Sequence, residues 1–383
     1  MDRRTDRYEV VTDIARFLEL RSDWNALWEQ VPQAYFSQSF DWCRVAWEQI
    51  AAPRRRRLHC IVAREGGRAV LIWPFVLSRR ALWSFAYPLG SETTEYTSPL
   101  VLGDPASDQR IEEGWNVLRR SSCADVIFLP YVRADSSAHR IFSQQRTALP
   151  PALNRTWFVN TKTFDNWEQY VASLKRSHRG DLRRTRRRLS ELGMLSFEPA
   201  VDHNRCAAAI DWILAQKQEW LARKSRENPW LRDIEYKNFL IEMAGNSVGG
   251  RFIISVLRLD EKIIAAALTR VDKVRAECLN TVYDRAYGKY GPGQLLMEEC
   301  VKWAFEHNLL YDLRIGDEPY KGDWATDTCN TLNFDFANSK WGAGYFLVRS
   351  AASQIRGAVP EHVRRLTKGA SKRSRASTIP DGG

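Results

Sequence analysis

Apolar residues along this chain follow two different periods, and the switches between them mark out its elements. Strand-like runs occur at Leu58–Arg64 and Arg68–Leu77, separated by the turn Glu65-Gly66-Gly67, and the same design returns at Arg251–Leu259 and Lys262–Arg270 around Asp260-Glu261. Helical spacing predicts a helix over Ile14–Val31 through Leu20, Trp24, Leu27, Trp28 and Val31. A second stripe runs through Trp167–Leu192 (Val171, Leu174, His178, Leu182, Thr185, Leu189, Leu192), with a break expected at Gly180 and a stop at Gly193. Ala207–Lys224 repeats the pattern with Ile210, Ile213, Leu214, Lys217, Trp220 and Leu221.

These elements fall into one order used twice: hairpin, further strand, helix, strand. In the first half a helix at Ile111–Arg120 precedes the apolar strand Asp125–Pro130. In the second, the strand Glu277–Tyr283 leads to a helix at Gly293–His307 and then to the strand Leu310–Ile315. The expected fold class is α/β (α+β), in two similar lobes, each a mixed, mostly antiparallel sheet flanked by helices. The expected boundaries are 1–155 and 156–348, joined near Pro150–Trp157, followed by a basic, partly disordered tail over 349–383.

Composition narrows the class. At 44% apolar and 27% charged residues the chain is an ordinary globular protein, and its 15 Trp should dominate the cores and could line a cleft. Seven scattered Cys without a CxxC pair, and six His without an HExxH or HxH pair, point to reduced thiols and no metal site. The charged N-terminus has no signal-like apolar region, and no run reaches the roughly 18 apolar residues of a membrane span, so a cytoplasmic location is expected. The net charge of +11 concentrates between Lys175 and Arg188, where eight basic residues face only Asp181. Such a run fits a solvated helix face, a clamp for phosphates, or a nucleic-acid surface, in that order, since no aromatics are interleaved with it.

The chemistry concentrates between Tyr283 and Trp324. The turn Gly288-Lys-Tyr-Gly-Pro-Gly293 follows a strand and opens a helix, with a proline suited to the first helical turn. Glycines that admit close approach and free N–H donors at a helix start make a phosphate cradle, although the same residues also make a plain tight turn. No acidic residue ends a second parallel strand, which argues against a dinucleotide fold. Downstream, Asp312, Asp317, Glu318, Tyr320, Lys321 and Trp324 crowd groups able to take, give or bind a proton; the same carboxylates also suit a solvated loop. His178 on an apolar stripe reads as a helix-interface residue, and Leu89–Tyr96 as a polar loop that could line a cleft, the plain loop being slightly favoured.

Residues 160–325 resemble the acetyltransferase domain of CelD/BcsL-type proteins of the GNAT superfamily, often linked to exopolysaccharide or cellulose synthesis. The motifs carrying the resemblance are Phe164-Asp-Asn-Trp-Glu-Gln-Tyr170, Ala265–Leu268, Tyr283-Asp284, Gly291–Leu296 and Asp312–Trp324. The first lobe, with Phe36–Trp42 and Trp47, is similar to the degenerate N-terminal half of such tandem proteins. The resemblance implies acetyl-CoA or another acyl-CoA as donor, its pantetheine arm lying between splayed strands Glu277–Tyr283 and Leu310–Ile315. It places Gly288, Lys289, Gly291, Gly293 and Gln294 on the cofactor, with Gly288 standing where the family loop has Gln or Arg. It further implies Asp312 or Asp317 as base, Tyr283 or Tyr320 as proton donor, and Glu318, Lys321 and Trp324 at an acceptor that is a sugar, amino sugar or amine. A Fem-type aminoacyl-tRNA-dependent transferase is the alternative, weakened by the lack of a coiled-coil arm; a non-enzymatic nucleic-acid binder comes third.

Overall fold

The computed structural model describes residues 7–200, 202–223, 229–245 and 251–358. The strands are β1 (Tyr8–Val11), β2 (Arg57–Glu65), β3 (Arg68–Arg80), β4 (Trp83–Pro88), β5 (Leu100–Val101), β6 (Val126–Arg133), β7 (Ala152–Val159), β8 (Leu195–Glu198), β9 (Arg251–Leu259), β10 (Lys262–Val271), β11 (Arg275–Tyr283), β12 (Leu310–Ile315) and β13 (Asp327–Ala337). The helices are α1 (Ile14–Glu19), α2 (Arg21–Gln30), α3 (Phe40–Ala46), α4 (Ser107–Ser121), α5 (Ser137–Phe142), α6 (Trp167–Ser173), α7 (Arg176–Ser190), α8 (His203–Arg223), α9 (Ile234–Gly245), α10 (Pro292–Glu306), α11 (Lys321–Trp324) and α12 (Lys340–Ala358).

All the strands join one mixed sheet in the order β1-β2-β3-β4-β6-β13-β7-β12-β11-β10-β9-β8, with the short β5 beside β3. The order is nearly symmetric about its centre. In the first lobe β2, β3 and β4 form an antiparallel meander, and β4 runs parallel to β6 after a crossover through α4. In the second, β9, β10 and β11 form the meander, and β11 runs parallel to β12 after α10. Parallel neighbours need such a helical crossover because a tight turn cannot reverse direction twice. The expected α/β class and the twice-used element order are therefore present.

The centre of the sheet was not expected. Pro150–Trp157, predicted as the link between lobes, contains most of β7, which pairs with β12 of the second lobe. The last strand, β13, returns to pair with β6 of the first lobe, and β7 and β13 then pair with each other. Each lobe's sheet is completed by the strand that follows the other lobe's parallel pair.

Three helical details also differ from the sequence reading. Ile14–Val31 divides at Leu20, which is fully buried between α1 and α2. The break in Trp167–Leu192 falls at Leu174 and Lys175, both with extended ψ, not at Gly180, which lies within α7. Gly193 does not cap α7, which ends at Ser190; a Cβ there would stand 2.5 Å from Asp260 Oδ2, so close approach requires the glycine. The start of the expected tail, through Ala358, is helical in α12, and the last 20 or so residues, expected to be disordered, lie outside the described residues.

The tryptophans do fill cores: Trp24, Trp42, Trp73, Trp115 and Trp324 are fully buried. One apolar cluster runs across both lobes on a single sheet face, where Trp42 of α3 packs edge-on to Phe239 of α9 at 4.8 Å and stacks with Phe252 of β9 at 5.9 Å. Separate clusters cover the opposite face of each lobe. The lobes thus share a core, and that shared core fixes the loop after β4 against the second lobe's sheet.

Candidate functional site

β11 and β12 are paired only at their first residues, Arg275 with Leu310, Ala276 with Tyr311 and Glu277 with Asp312. Beyond those pairs the two strands part. Both carry an irregularity at the parting: β11 shifts register against β10 so that Leu279 is passed over, and β12 shifts against β7 so that Leu313 is passed over. A bulge bends its strand and increases the local twist, so two bulges side by side turn the strands away from each other. Arg314, next in β12, takes φ +64°, a left-handed conformation that costs a non-glycine residue on the order of 1 kcal/mol.

Main-chain groups that lose a strand partner must find another, and here side chains supply it. Gly316 N–H turns toward β7, donating to Arg155 O at 3.3 Å. Ile315 N–H donates at 2.8 Å to Glu95 Oε2, from the loop after β4 in the first lobe. Arg314 N–H donates at 2.7 Å to Asp312 Oδ1. The carbonyl of Ile315 accepts from Lys321 Nζ at 2.7 Å, and that of Leu279 on β11 accepts from Arg314 Nη1 at 3.2 Å. Arg314 also pairs with Glu95 and with Glu277, each at 3.2 Å.

Between the parted strands lies a cleft of about 310 Å³. β11 contributes Cys278–Thr281 to its wall, and β12 contributes Leu313–Ile315. Glu318, Tyr320 and Lys321 close one side. Glu92, Thr93 and Glu95 enter from the first lobe, and Lys217 and Tyr236 from α8 and α9. The lining is mostly polar, and among the described residues no tryptophan belongs to it.

Asp312 lies at the apex of the parting, 1% exposed. Tyr96 O–H donates to its Oδ2 at 2.7 Å. Burial first, and then the charge of Glu277, push the Asp312 carboxyl up to about 6, against the pull of these hydrogen bonds. Beneath it Arg270 pairs with Glu277, both 1% exposed, and the Arg270 guanidinium lies 4.6 Å over the Trp42 ring. Burial holds the Tyr320 phenol well above its ordinary range and draws the Lys217 ammonium down. Lys217 forms no ion pair with an acid among the described residues; its ammonium lies 5.0 Å over the Trp220 ring.

The glycine turn stands at the outer end of β11. Arg285–Tyr290 form a short 3-10 turn capped by Asp284, whose carboxylate accepts from Ala286 N–H at 2.9 Å. Gly291 takes φ +74° at the N-cap of α10, with Pro292 in the first helical position. At Gly293 a Cβ would come within 3.2 Å of the Tyr283 ring, which would have to shift slightly to admit it. The turn therefore fits a close-lying anion at a helix start, and α7 borders it: a Cβ at Gly291 would come 3.4 Å from Thr185 Oγ1, and Arg188 lies 5.2 Å over Tyr290, whose ring Lys289 also approaches at 4.9 Å.

The structure thus brings Glu318, Tyr320 and Lys321 to one cleft, leaves Asp312 buried at the apex where the strands part, outside the lining, and separates other residues grouped with them in sequence. Asp317 is exposed and does not line the cleft. Tyr283 is 42% exposed and lies over the glycine turn. Trp324 is fully buried, and its indole donates to Gln294 Oε1 at 2.9 Å; each occupies the other, so neither is open to a ligand there. Its ring meets His178 edge-on at 4.6 Å, an interface position for that histidine. Glu92, Glu95, Lys217, Tyr236 and Arg314 were not foreseen. Lys217 did carry a signal, as a cation on the apolar stripe of its helix, and the loop of Glu92 and Glu95, read from sequence more as a polar loop than as a cleft wall, does line it.

Residues 176–322 match the family described as "Acetyltransferase (GNAT) domain". No curated protein is similar to the chain at a significant level. Among solved structures, FemX has a TM-score of 0.60 at 11% identity, covering 86% of this chain and 97% of its own. A conserved protein of unknown function from Bacteroides thetaiotaomicron has a TM-score of 0.52 at 10% identity, covering 83% and 97%. The C-terminal domain of a candidate lysylphosphatidylglycerol synthetase from Agrobacterium fabrum has a TM-score of 0.50 at 12% identity, covering 88% and 96%. At these identities the likeness is one of fold, and it spans both lobes. Among the described residues no group of His, Cys, Asp and Glu is arranged to hold a metal ion, and no helix is long and apolar enough to cross a membrane.

Proposed function

We propose that the protein transfers an acyl group from acyl-CoA, with acetyl-CoA the first donor to test, to the nitrogen or oxygen of a polar acceptor such as a sugar or amino-sugar precursor of a polysaccharide. The observation that carries this reading is the parting of β11 and β12 beside a glycine turn at the start of α10. The donor's pantetheine arm would replace the missing strand pairing, and its pyrophosphate would meet the N-terminus of α10 at Gly291 and Gly293. Gly288 offers no side chain, so Lys289 and Arg188, flanking Tyr290, are the cations placed to assist.

In this reading the acceptor N–H or O–H attacks the thioester carbonyl. β11 N–H groups beyond Glu277, which have no partner in β12, would stabilise the oxyanion as it forms. Collapse breaks the C–S bond, and Tyr320, held protonated by burial, gives its proton to the departing thiolate. Asp312, buried behind the cleft wall, would take the acceptor's proton only by way of water rather than by touching the acceptor. Glu318, with its charge beside Lys321, is the carboxylate at the acceptor side of the cleft. Closer assignment to the CelD/BcsL-type group rests chiefly on the Gly291–Leu296 and Asp312–Trp324 motifs.

The test is calorimetric titration with acetyl-CoA and longer acyl-CoAs, followed by thiol release in the presence of amino sugars. Binding with acceptor-dependent thiol release supports the reading, and no binding of any acyl-CoA sinks it. One observation favours a second reading, an aminoacyl-tRNA donor. α7 presents Arg176, Arg183, Arg184, Arg187 and Arg188 to solvent, and Arg176 and Arg183 form no ion pair with an acid among the described residues. Transfer from charged tRNA, with no response to acyl-CoA, would establish it instead.

A further inference from the structure

Among the described residues the first lobe has no counterpart of the Gly288–Gly293 turn at the start of its crossover helix α4, yet one of its side chains occupies a main-chain position in the second lobe's sheet. Along β12, alternate N–H groups point to alternate neighbours. Gly316 N–H points to β7, so Ile315 N–H points to the side from which β11 has departed, and Glu95 Oε2 takes it. The same carboxylate pairs through Oε1 with Arg314, whose guanidinium takes the Leu279 carbonyl of β11. One donor on β12 and one acceptor on β11 are thus both satisfied without meeting each other. Lys321, 4% exposed, likewise occupies the Ile315 carbonyl. Unsatisfied, these groups would carry a desolvation penalty and would favour closing the strands together.

We infer that Glu95 is a positioning residue: from the first lobe it holds the edge of β12 so that the cleft stays open to an acyl donor. This rests on the acyl-transfer reading for its functional consequence but not for its structural one. It also assigns a role to the lobe that lacks a donor site. That lobe supplies the clamp, and loss of the clamp disables a donor site on the other lobe.

The experiment compares full-length wild type with Glu95→Ala, Glu95→Gln and, as a control for contact between the lobes, Arg44→Ala, which removes the ion pair from α3 to Glu242 of α9, neither residue lining the cleft. Hydrogen exchange is read on peptides spanning residues 310–318, and acyl-CoA affinity and kinetics are read alongside. Glu95→Ala should speed exchange in that segment at least tenfold and raise the acyl-CoA KM about tenfold or more, with a smaller change in kcat. Glu95→Gln, which keeps an oxygen for Ile315 N–H, should restore most of the protection, and Arg44→Ala should change neither readout. Unchanged exchange in Glu95→Ala overturns the clamp. Faster exchange with unchanged donor affinity overturns its positioning role. If wild type itself binds no acyl-CoA, the acyl-transfer reading fails, and the exchange comparison still decides whether the clamp exists.

Discussion

Tyr96, on a loop of the first lobe, donates its phenolic hydrogen at 2.7 Å to Asp312, buried in a strand of the second. The bond spans 216 residues of sequence and lies at the apex where β11 and β12 part. Tyr96→Phe should leave Asp312 with one hydrogen bond fewer. Its carboxyl would rise further, and the protein should lose about 1–2 kcal/mol on denaturant unfolding at neutral pH, less at pH 4, where the carboxyl is protonated in both proteins.

Asp312 itself should govern stability in mild acid. Its pKa is about 6 when folded and about 3.9 when unfolded. Between those values the folded chain holds a proton that the unfolded chain has lost. The contribution is therefore fully present below about pH 4 and is lost as the pH rises through 6. Asp312→Asn removes this titration. The wild type should lose on the order of 3 kcal/mol across the window relative to the variant, checked by urea midpoints measured from pH 4 to 7.

Tyr320 is the half-buried phenol of the cleft. Tyr320→Phe should lower kcat by at least about tenfold with little change in the acyl-CoA KM, because its role falls at the departure of the thiolate. Tyr283→Phe, outside the cleft, should leave kcat near wild type. Steady-state kinetics on both variants decide between the two tyrosines.

At the glycine turn, Gly291→Ala must accept φ +74°, at a cost of about 1 kcal/mol. Gly293→Ala instead displaces the Tyr283 ring. Both should weaken acyl-CoA binding several-fold in calorimetry, with Gly291→Ala also lowering Tm.

Trp324→Ala should cost about 3–5 kcal/mol of stability through the void it leaves against His178 and Gln294, whereas Trp324→Phe should retain most of the acyl-CoA affinity. Thermal unfolding alongside donor titration separates this packing role from a binding role.

Much of the architecture was legible because it is local. The hairpins, the strand before the glycine turn, α10 and β12 are each set by period and turn chemistry within 10–20 residues or so, and the order of these elements revealed the duplication. The exchange of β7 and β13 was not legible: pairing between Val126–Arg133 and Asp327–Ala337 leaves no period in the sequence. The site divided the same way. Asp312, Tyr320 and Lys321 were legible as one group because they cluster in one segment. Glu95 and Tyr236 reach the cleft only through tertiary packing. Trp324 was placed at the acceptor because its neighbours are there, but a four-residue helix turns its ring inward beneath Tyr170, whose hydroxyl donates to its carbonyl.

The position of β13 also dictates when the protein can finish folding. A ribosome releases residues in order, and the first lobe's sheet lacks its sixth strand until Ala337 has emerged. Until then β6 presents an open edge, and β7, already synthesised, is the nearest strand able to cover it. Pairing of β6 with β7 would be a trap, released only when β13 arrives to separate them. Maturation of the first half of this chain thus depends on the arrival of its last strand.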